Sequence, residues 1–222
     1  LIVENEKNSV KRRTKGERTR HQILEAIIKI LAKNGIKGTT HRAIAKEADI
    51  QLSLTTYYFK DIEALILQAI VLNSEITLNK TDACWINVFK LIEEYEKADL
   101  RKVSVKQLLA DQITKILTDK CISRLEQQSN ELSVEQILFS QTHISPALID
   151  LAEQHKETLI EPYVKLCRYF NKKSARLDAE ILFTQLKQLE YRLLAYTIDN
   201  DKRHEIESLI SRIFALIFKL KS

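Results

Sequence analysis

The sequence predicts an all-α protein. Only three glycines and two prolines occur among its 222 residues, so residues that interrupt helices are scarce. Leu, Ile, Lys, Glu and Gln are abundant, and apolar residues recur three or four positions apart along most of the chain, which is the period of an amphipathic helix. Few turn signals combined with this period favour helices over strands.

The first 16 residues show no apolar periodicity. They include the basic run LysArgArg at positions 11–13, followed by Lys15. We expect residues 1–16 to form a flexible basic arm. Such an arm would either lie along nucleic-acid phosphates and reach a minor groove, or serve only as a solubilising tail.

The first regular helix is expected from Thr19 to Gly35. Its apolar positions fall on one stripe, and Gly35 ends it as a glycine just beyond a helix should. These apolar positions are Ile23, Leu24, Ile27, Ile30 and Leu31.

The stretch from Thr39 to Leu65 predicts two short helices joined by a tight turn. Thr39 or Thr40 can cap the first, which carries the apolar residues of the sequence IAKEA. Asp49 stands where the chain must turn, because aspartate enters the left-handed region at low cost, and it can also cap the next helix. The second short helix is expected over Gln51–Tyr58, and Asp61 then caps a longer helix. This arrangement is a helix-turn-helix, whose second helix enters the DNA major groove.

The second short helix carries the candidate DNA contacts. Gln51, Ser53 and Thr55 can exchange hydrogen bonds with base edges, and Leu52 can touch thymine methyl groups. Phosphate contacts are expected from side chains around it, which fix the register of the protein on the duplex. These are Thr40, Arg42, Tyr57, Tyr58 and Lys60. The alternative for the aromatic run at 57–59 is packing, and Phe59 is the residue expected to face the core.

Charge is distributed unevenly along the chain. Residues 1–60 carry 13 Lys/Arg and 6 Asp/Glu, a net charge of +7, whereas residues 61–222 carry −2. A basic N-terminal quarter is typical of a DNA-binding head on a separate body, although a solvated basic face is the simpler alternative.

The segment Arg18–Leu72, about a quarter of the chain, resembles the DNA-binding domain of TetR-family transcriptional regulators. The similarity rests on helix 1, the spacer KGTT, the IAKEA helix, the turn and the run YYFKDIEAL. The sequence departs from the family pattern at the turn, where Asp49 replaces Gly and Gln51 replaces Ser. Ile62 stands where a phosphate-contacting Lys is common.

The resemblance implies an organisation in two domains. A helix-turn-helix domain at residues 17–62 would be joined to a ligand-binding and dimerisation domain at residues 63–222. It also implies a homodimer through the last two helices, at about 177–220, and a connecting helix that transmits ligand binding. A double-stranded DNA operator and an unidentified small-molecule effector are the implied partners.

The body is expected to contain seven helices, each with an apolar face. Their predicted ranges are 61–80, 83–97, 104–118, 121–143, 146–170, 177–199 and 202–220. Ser145-Pro146 is a strong start signal, since Ser can cap the helix and Pro suits its first position.

Aromatic and small polar residues in the middle helices are candidates for a ligand pocket. Trp85 and Phe89, one turn apart, are the first choices for its wall. The further candidates are Phe139, His143, Tyr163 and Cys167. The alternative for each of these side chains is ordinary core packing.

Sequence motifs of enzymes are weak in this chain. There is no glycine-rich phosphate loop, no metal-spaced His/Cys cluster and no nucleophile elbow. We therefore expect no catalysis, no metal and no cofactor.

Three widely spaced cysteines favour free thiols in a reducing cytoplasm, and no apolar run approaches a membrane span.

The favoured hypothesis is a sequence-specific, ligand-responsive transcriptional regulator, and more specifically a repressor. The first alternative is a DNA-bound structural protein of the same fold that docks a protein partner. The second is a helical binding protein with a vestigial head. A cavity near Trp85 favours the regulator, whereas a filled core with an exposed apolar patch favours docking.

Overall fold

The computed structural model describes residues 2–59, 61–80, 82–141, 146–218 and 220, and omits the side chains of residues 2–15, 80, 82 and 83. Every regular element in these ranges is helical, which confirms the predicted all-α class. The ten α-helices are α1 (Ile2–Gly38), α2 (His41–Glu47), α3 (Leu52–Tyr58), α4 (Ile62–Lys80), α5 (Asp82–Glu93), α6 (Val103–Gln127), α7 (Ser129–Ser140), α8 (Pro146–Phe170), α9 (Ala175–Leu193) and α10 (Asn200–Ile217). A single 3-10 turn at Asp99–Arg101 precedes α6.

Helix α1 begins at Ile2, so the backbone of residues 2–16 continues into the first helix. The flexible arm expected there stays a prediction. Within α1, Gly35 adopts φ 66°, which breaks the regular helix at the glycine that the sequence placed at its end. The hydroxyl of Thr39 donates to the Gly35 carbonyl at 3.0 Å and ties the chain leaving this break back to α1.

The head, α1–α3, shares its core with three later helices. Ile23, Ile27 and Leu31 of α1 pack with Leu65 and other residues of α4, all of them buried. The same cluster also contains apolar residues of α7 and α8, namely Val134, Leu138, Leu148 and Ala152. The head therefore rests on the body through α4, α7 and the start of α8.

A second core fills the body. It brings together α5, α6, α8, α9 and α10 around buried residues such as Trp85, Ile113, Leu166, Leu182 and Phe214. Helix α8 passes from the head-side core at Leu148 and Ala152 to the body core at Leu159 and beyond, and packs along most of α9.

One predicted boundary in the body was wrong. The sequence placed a break between Thr118 and Cys121, but α6 runs without interruption to Gln127. No helix breaker lies between these residues, and both side chains are buried on the same face of the helix. The chain turns instead at Gln128, which has φ −135° and ψ 29°.

The stretch Ile62–Glu93 is apolar enough, by length and composition, to cross a membrane. In the structure it comprises two helices, α4 and α5. Helix α4 packs against α1, α7 and α8, so its apolar composition matches its place in the protein core.

Candidate DNA-binding head and effector-binding body

The turn between α2 and α3 is fixed by local interactions. Thr40 accepts a hydrogen bond from the Ala43 amide at 3.2 Å and caps α2, as the sequence predicts. Asp49 has φ 53°, also as predicted, and no side-chain bond from it caps α3. The amide of Gln22 on α1 donates to the Ala48 carbonyl at 2.8 Å. This last contact, which the sequence analysis missed, anchors the end of α2 to α1.

Helix α3 presents one face to solvent and one to the core. Tyr57 is the most exposed of its large side chains, at 77%, and Leu52 and Ser53 are exposed beside it. Gln51 and Thr56 are exposed as well, whereas Phe59 is buried as predicted. Most of the predicted base-reading residues therefore share one accessible surface.

Thr55 lies on the opposite side of α3 and is fully buried, with 0% exposure. Its hydroxyl donates to the Leu52 carbonyl at 2.8 Å and lies 3.2 Å from Nδ1 of His41 on α2. The prediction that Thr55 reads a base edge does not fit this position. The buried hydroxyl joins the two helices of the motif instead.

The predicted phosphate contacts are distributed around this surface. Arg42 is exposed near the start of α2, and Thr40 is exposed beside it. Tyr58 is half-buried, with its ring edge-on to that of Tyr57 at a centroid distance of 5.2 Å. Lys60 lies outside the described residues.

Arg20, which the sequence suggested as one of the cations of the basic arm, lies at the junction between head and body. Its guanidinium lies 5.6 Å from the centre of the Phe59 ring and donates to the Gln68 side chain of α4. It thereby links α1, the end of α3 and α4 at the junction between head and body.

An aromatic wall lines one side of the body. Trp85 stacks on Phe89 at a centroid distance of 6.0 Å and meets Tyr163 edge-on at 4.5 Å, and Tyr163 in turn meets Phe183 at 5.7 Å. Beside this wall is an open groove of about 1080 Å³. It is lined by Trp85, Ile86, Phe89, Glu157, Thr158, Glu161, Pro162, Lys165 and Arg168.

Two polar groups at the aromatic wall are unusual. The Nε1 atom of Trp85 is buried without a hydrogen-bond partner among the described residues. The ammonium of Lys120 lies 4.8 Å from the centre of the Trp85 ring, and burial lowers the pKa of Lys120 to about 8. The wall therefore carries a buried indole N–H donor, and beside it an ammonium that gives up its proton more readily than that of an ordinary lysine.

The six predicted pocket residues do not form one site. Trp85, Phe89 and Tyr163 lie together on the aromatic wall. Phe139 instead packs with the head-side core, 5.8 Å from His155 between ring centres. Cys167 belongs to the body core, and burial raises the pKa of its thiol to about 12. His143 lies outside the described residues.

A buried ionic cluster occupies the centre of the body. The Glu135 carboxylate of α7 accepts hydrogen bonds from Lys187 Nζ at 2.8 Å and from Tyr191 Oη at 2.9 Å. Arg124 of α6 bridges Glu190, at 2.9 Å, and Glu135, at 3.4 Å. The cluster thus joins α6, α7 and α9, and the sequence analysis did not anticipate it.

The cluster reaches the connecting helix through one histidine. His155 Nε2 lies 3.2 Å from the Glu135 carboxylate, and His155 Nδ1 lies 2.5 Å from the Ser74 hydroxyl of α4. Both side chains are buried. A continuous series of polar contacts therefore runs from α9 to α4 through the middle of the body.

The charges in the cluster are balanced by one another. Burial alone would raise the pKa of Glu135, but Lys187 and Arg124 outweigh this effect and hold the pKa well below its ordinary value. Glu190 and Glu135 in turn raise the pKa of Arg124, against the effect of its burial. The carboxylates of Glu135 and Glu190 therefore both face buried cations.

Among the described residues, no group of three His, Cys, Asp or Glu side chains is placed to hold a metal ion.

Comparison with known proteins supports the same organisation. Residues 23–69, which run from α1 through the head into α4, match the family model of bacterial regulatory proteins of the tetR family. No curated protein sequence matches the chain.

Solved structures share the fold over nearly the whole chain. A TetR-family transcriptional regulator from Mesorhizobium loti MAFF303099 is 16% identical, with 92% of this chain and 96% of that one covered and a TM-score of 0.60. A transcriptional regulator from Saccharomonospora viridis, in complex with choline, is 15% identical over 88% and 95%, with a TM-score of 0.62. The multidrug binding protein EbrR, complexed with ethidium, is 20% identical over 88% and 97%, with a TM-score of 0.53.

The chain combines a helix-turn-helix of the kind found in bacterial DNA-binding regulators with a larger helical body. The head matches the model of bacterial regulatory proteins of the tetR family, and the whole chain shares the fold of solved structures of this kind. The resemblance noted in the sequence is thereby confirmed.

Proposed function

We propose that this regulator is a homodimeric repressor that leaves a near-palindromic operator when a small molecule binds in its body. The observation that carries the proposal is the solvent-facing surface of α3, where Gln51, Leu52, Ser53 and Tyr57 are exposed on a helix anchored by buried Thr55 and Phe59. A rigidly anchored helix with exposed polar groups is what major-groove reading requires.

The proposed base readers are Gln51, Leu52, Ser53 and Thr56, with Tyr57 at the edge of the same surface. Thr56 takes the place first given to Thr55, because its side chain is exposed. Thr40, Arg42 and Tyr58 are the proposed phosphate contacts, along with Lys60. Phosphate contacts position the helix, and base contacts give sequence preference.

The proposed dimer interface is formed by α9 and α10. Leu177 and Ile181 of α9 are exposed at 68% and 53%, and Leu209 and Leu216 of α10 are exposed as well. Large apolar side chains on two adjacent helices favour burial against a second copy, in a four-helix arrangement. Two-fold symmetry would then place two α3 helices roughly 34–36 Å apart, one turn of DNA.

The proposed effector site is the groove beside the aromatic wall of Trp85 and Phe89. Aromatic rings suit a flat apolar ligand that packs along the wall. Choline and ethidium bound to structural neighbours support a ligand-binding body in this fold. Tyr163 completes the wall, whereas Phe139 and Cys167 are proposed to serve the cores.

The proposed signal path is the polar series that joins the ionic cluster to α4. A ligand that displaces α8 or α9 would disturb the contact between His155 and Ser74, and hence the position of α4 under the head. A change in the distance between the heads of the two subunits would prevent the dimer from engaging two half-sites at once. Because such coupling is reciprocal, operator DNA should weaken effector binding by the same factor.

The test is selection of duplexes from a random pool with the full chain. We expect enrichment of a near-palindrome whose half-sites are about one helical turn apart. Inserting five base pairs between the selected half-sites rotates one half-site by about half a helical turn relative to the other. The dimer can then engage only one half-site at a time, so its affinity should fall to that for a duplex with a single half-site. No enrichment, or indifference to the insertion, would contradict a dimeric operator-binding regulator.

A further inference from the structure

A second cleft lies at the end of the body, between the 3-10 turn, the start of α6 and the end of α8. Its volume is about 560 Å³. It is lined by Lys97, Leu100, Arg101, Lys106, Lys165, Arg168, Tyr169, Phe170 and Lys172. Six of these nine side chains are cationic and none is acidic.

Most of these cations have no acidic partner in the part of the chain that the structure describes. Within the described residues, Lys97, Arg101, Lys106 and Lys172 form no ion pair. Asp99, which lies next to the cleft in sequence, is engaged by Lys102 at 2.6 Å. Converging like charges raise the local positive potential and attract anions.

The remaining two cations face the neighbouring aromatic groove as well. Arg168 pairs with Glu161 at 3.8 Å, with both side chains exposed, and the Lys165 ammonium lies 3.8 Å from the centre of the Phe89 ring. They form the divide between the two cavities, so the cleft is distinct from the aromatic groove but borders it.

The floor of the cleft is apolar. Leu100 is buried, and Tyr169 and Phe170 are partly buried against the body core. Phe170 is fixed by stacking on Phe218 at a centroid distance of 4.0 Å. A rigid apolar floor under a ring of cations suits a molecule that is both flat and multiply anionic.

The cleft is remote from the DNA-reading surface. Helix α8 packs in the head-side core at Ala152, and the sixteen residues from Ala152 to Arg168 extend about 24 Å along the helix. The cations of the cleft are therefore not part of the head's phosphate contacts.

We propose that this cleft binds a small organic anion that carries at least two negative charges and a flat apolar group. The cations bind the charged groups, and the Leu100, Tyr169 and Phe170 floor packs against the apolar group. The site goes beyond the proposed function, because neither the head nor the aromatic groove requires it.

The experiment uses the full chain and pyranine, a trisulfonated hydroxypyrene, as a fluorescent probe. Binding is titrated by anisotropy with wild type, with Arg101→Ala/Lys172→Ala and with the matched head variant Lys33→Ala/Lys37→Ala. All four residues are exposed, so thermal unfolding should be unchanged. We expect the cleft variant to bind roughly tenfold or more weakly, because it loses two charge-assisted contacts to the sulfonate groups, each weakened by ionic screening. The head variant should change affinity less than twofold.

A second arm uses tripolyphosphate as a competitor, because it offers charge without an apolar group. We expect it to displace pyranine only at concentrations well above the pyranine dissociation constant. Equal affinity of the two anions would contradict a role for the apolar floor. Loss of binding in the head variant, or unchanged binding in the cleft variant, would overturn the proposed site.

Discussion

The hydroxyl of Ser74 on α4 lies 2.5 Å from Nδ1 of His155 on α8, and both side chains are buried. The opposite ring nitrogen of this histidine faces Glu135 at 3.2 Å. One imidazole therefore joins the helix under the head to the charged centre of the body. A buried hydrogen bond in this position gives the two parts a defined relative placement.

Ser74→Ala should loosen α4. The substitution leaves the buried His155 Nδ1 without its serine partner, which costs about 1–3 kcal/mol. Amide hydrogens around residues 73–77 should therefore exchange faster than in wild type. Ser140→Ala is the matched control, because among the described residues the Ser140 hydroxyl bonds only to a carbonyl of its own helix, at Ile137. Equal exchange at α4 in the two variants would show that the Ser74 contact does not hold this helix.

Glu135→Gln should destabilise the fold strongly. The change removes a carboxylate that serves both Lys187 and Arg124 in a buried setting, and breaking one side of such a cluster costs about 3–5 kcal/mol. Urea unfolding at neutral pH measures this loss. Glu157→Gln is the control, since Glu157 pairs with Arg176 on the exposed surface and should contribute little.

The same carboxylate predicts a loss of stability in acid. Because the folded pKa of Glu135 lies below its ordinary value of 4.5, the unfolded chain binds more protons in the interval between the two. Its contribution is fully present above about pH 4.5 and is lost as the pH falls through the folded pKa. Urea unfolding across this range should show a shallower acid dependence for Glu135→Gln than for wild type, and parallel curves would contradict the assignment.

Tyr57→Ala should weaken operator binding without affecting the fold. Tyr57 is the most exposed large side chain of α3, so its removal leaves no cavity, and we expect a loss of about 1–3 kcal/mol in specific affinity. Anisotropy titration of the selected duplex measures it. Val103→Ala, an exposed apolar truncation on α6, should bind like wild type.

Thr55→Ala provides the contrasting variant for the same helix. Its hydroxyl is buried between α2 and α3, so the variant should unfold at a lower temperature while the salt dependence of DNA binding is retained. A stable Thr55→Ala protein with lost sequence preference would return Thr55 to the base-reading group.

Ile181→Asp should convert the proposed dimer to monomers. A carboxylate in the middle of the apolar face of α9 would be desolvated without a partner in the interface. Light scattering coupled to size exclusion measures the mass. Ile149→Asp places the same charge at an exposed apolar position of α8, outside this face, and should leave the mass unchanged. A monomeric wild type, or an Ile181→Asp dimer, would place the interface elsewhere.

The parts of the fold set by local chemistry could be predicted from the sequence. The Thr40 cap, the glycine break at Gly35 and the left-handed Asp49 each depend on a few neighbouring residues. The start of α8 at Pro146 follows from the same kind of signal. Long amphipathic stretches likewise indicated the helical body.

The rest depends on contacts between distant parts of the chain. Arg124 meets Glu190 across 66 positions, and Ser74 meets His155 across 81, so no local pattern identifies the ionic cluster. Thr55 was misplaced because the seven-residue α3 is too short for its period to indicate which side packs on α2. The same limit applies to Phe139, whose position in the head-side core follows from the docking of α7 on α1 and α4.

The central claim is that α3 reads a specific duplex, and a binding titration at two salt concentrations tests it most directly. Wild type is titrated against the selected near-palindrome and against a scrambled duplex of the same length. We expect the selected duplex to bind at least about 10³-fold more tightly, with a steep decrease in affinity as salt rises. Equal, weak and nearly salt-independent binding to both duplexes would contradict a DNA-reading head.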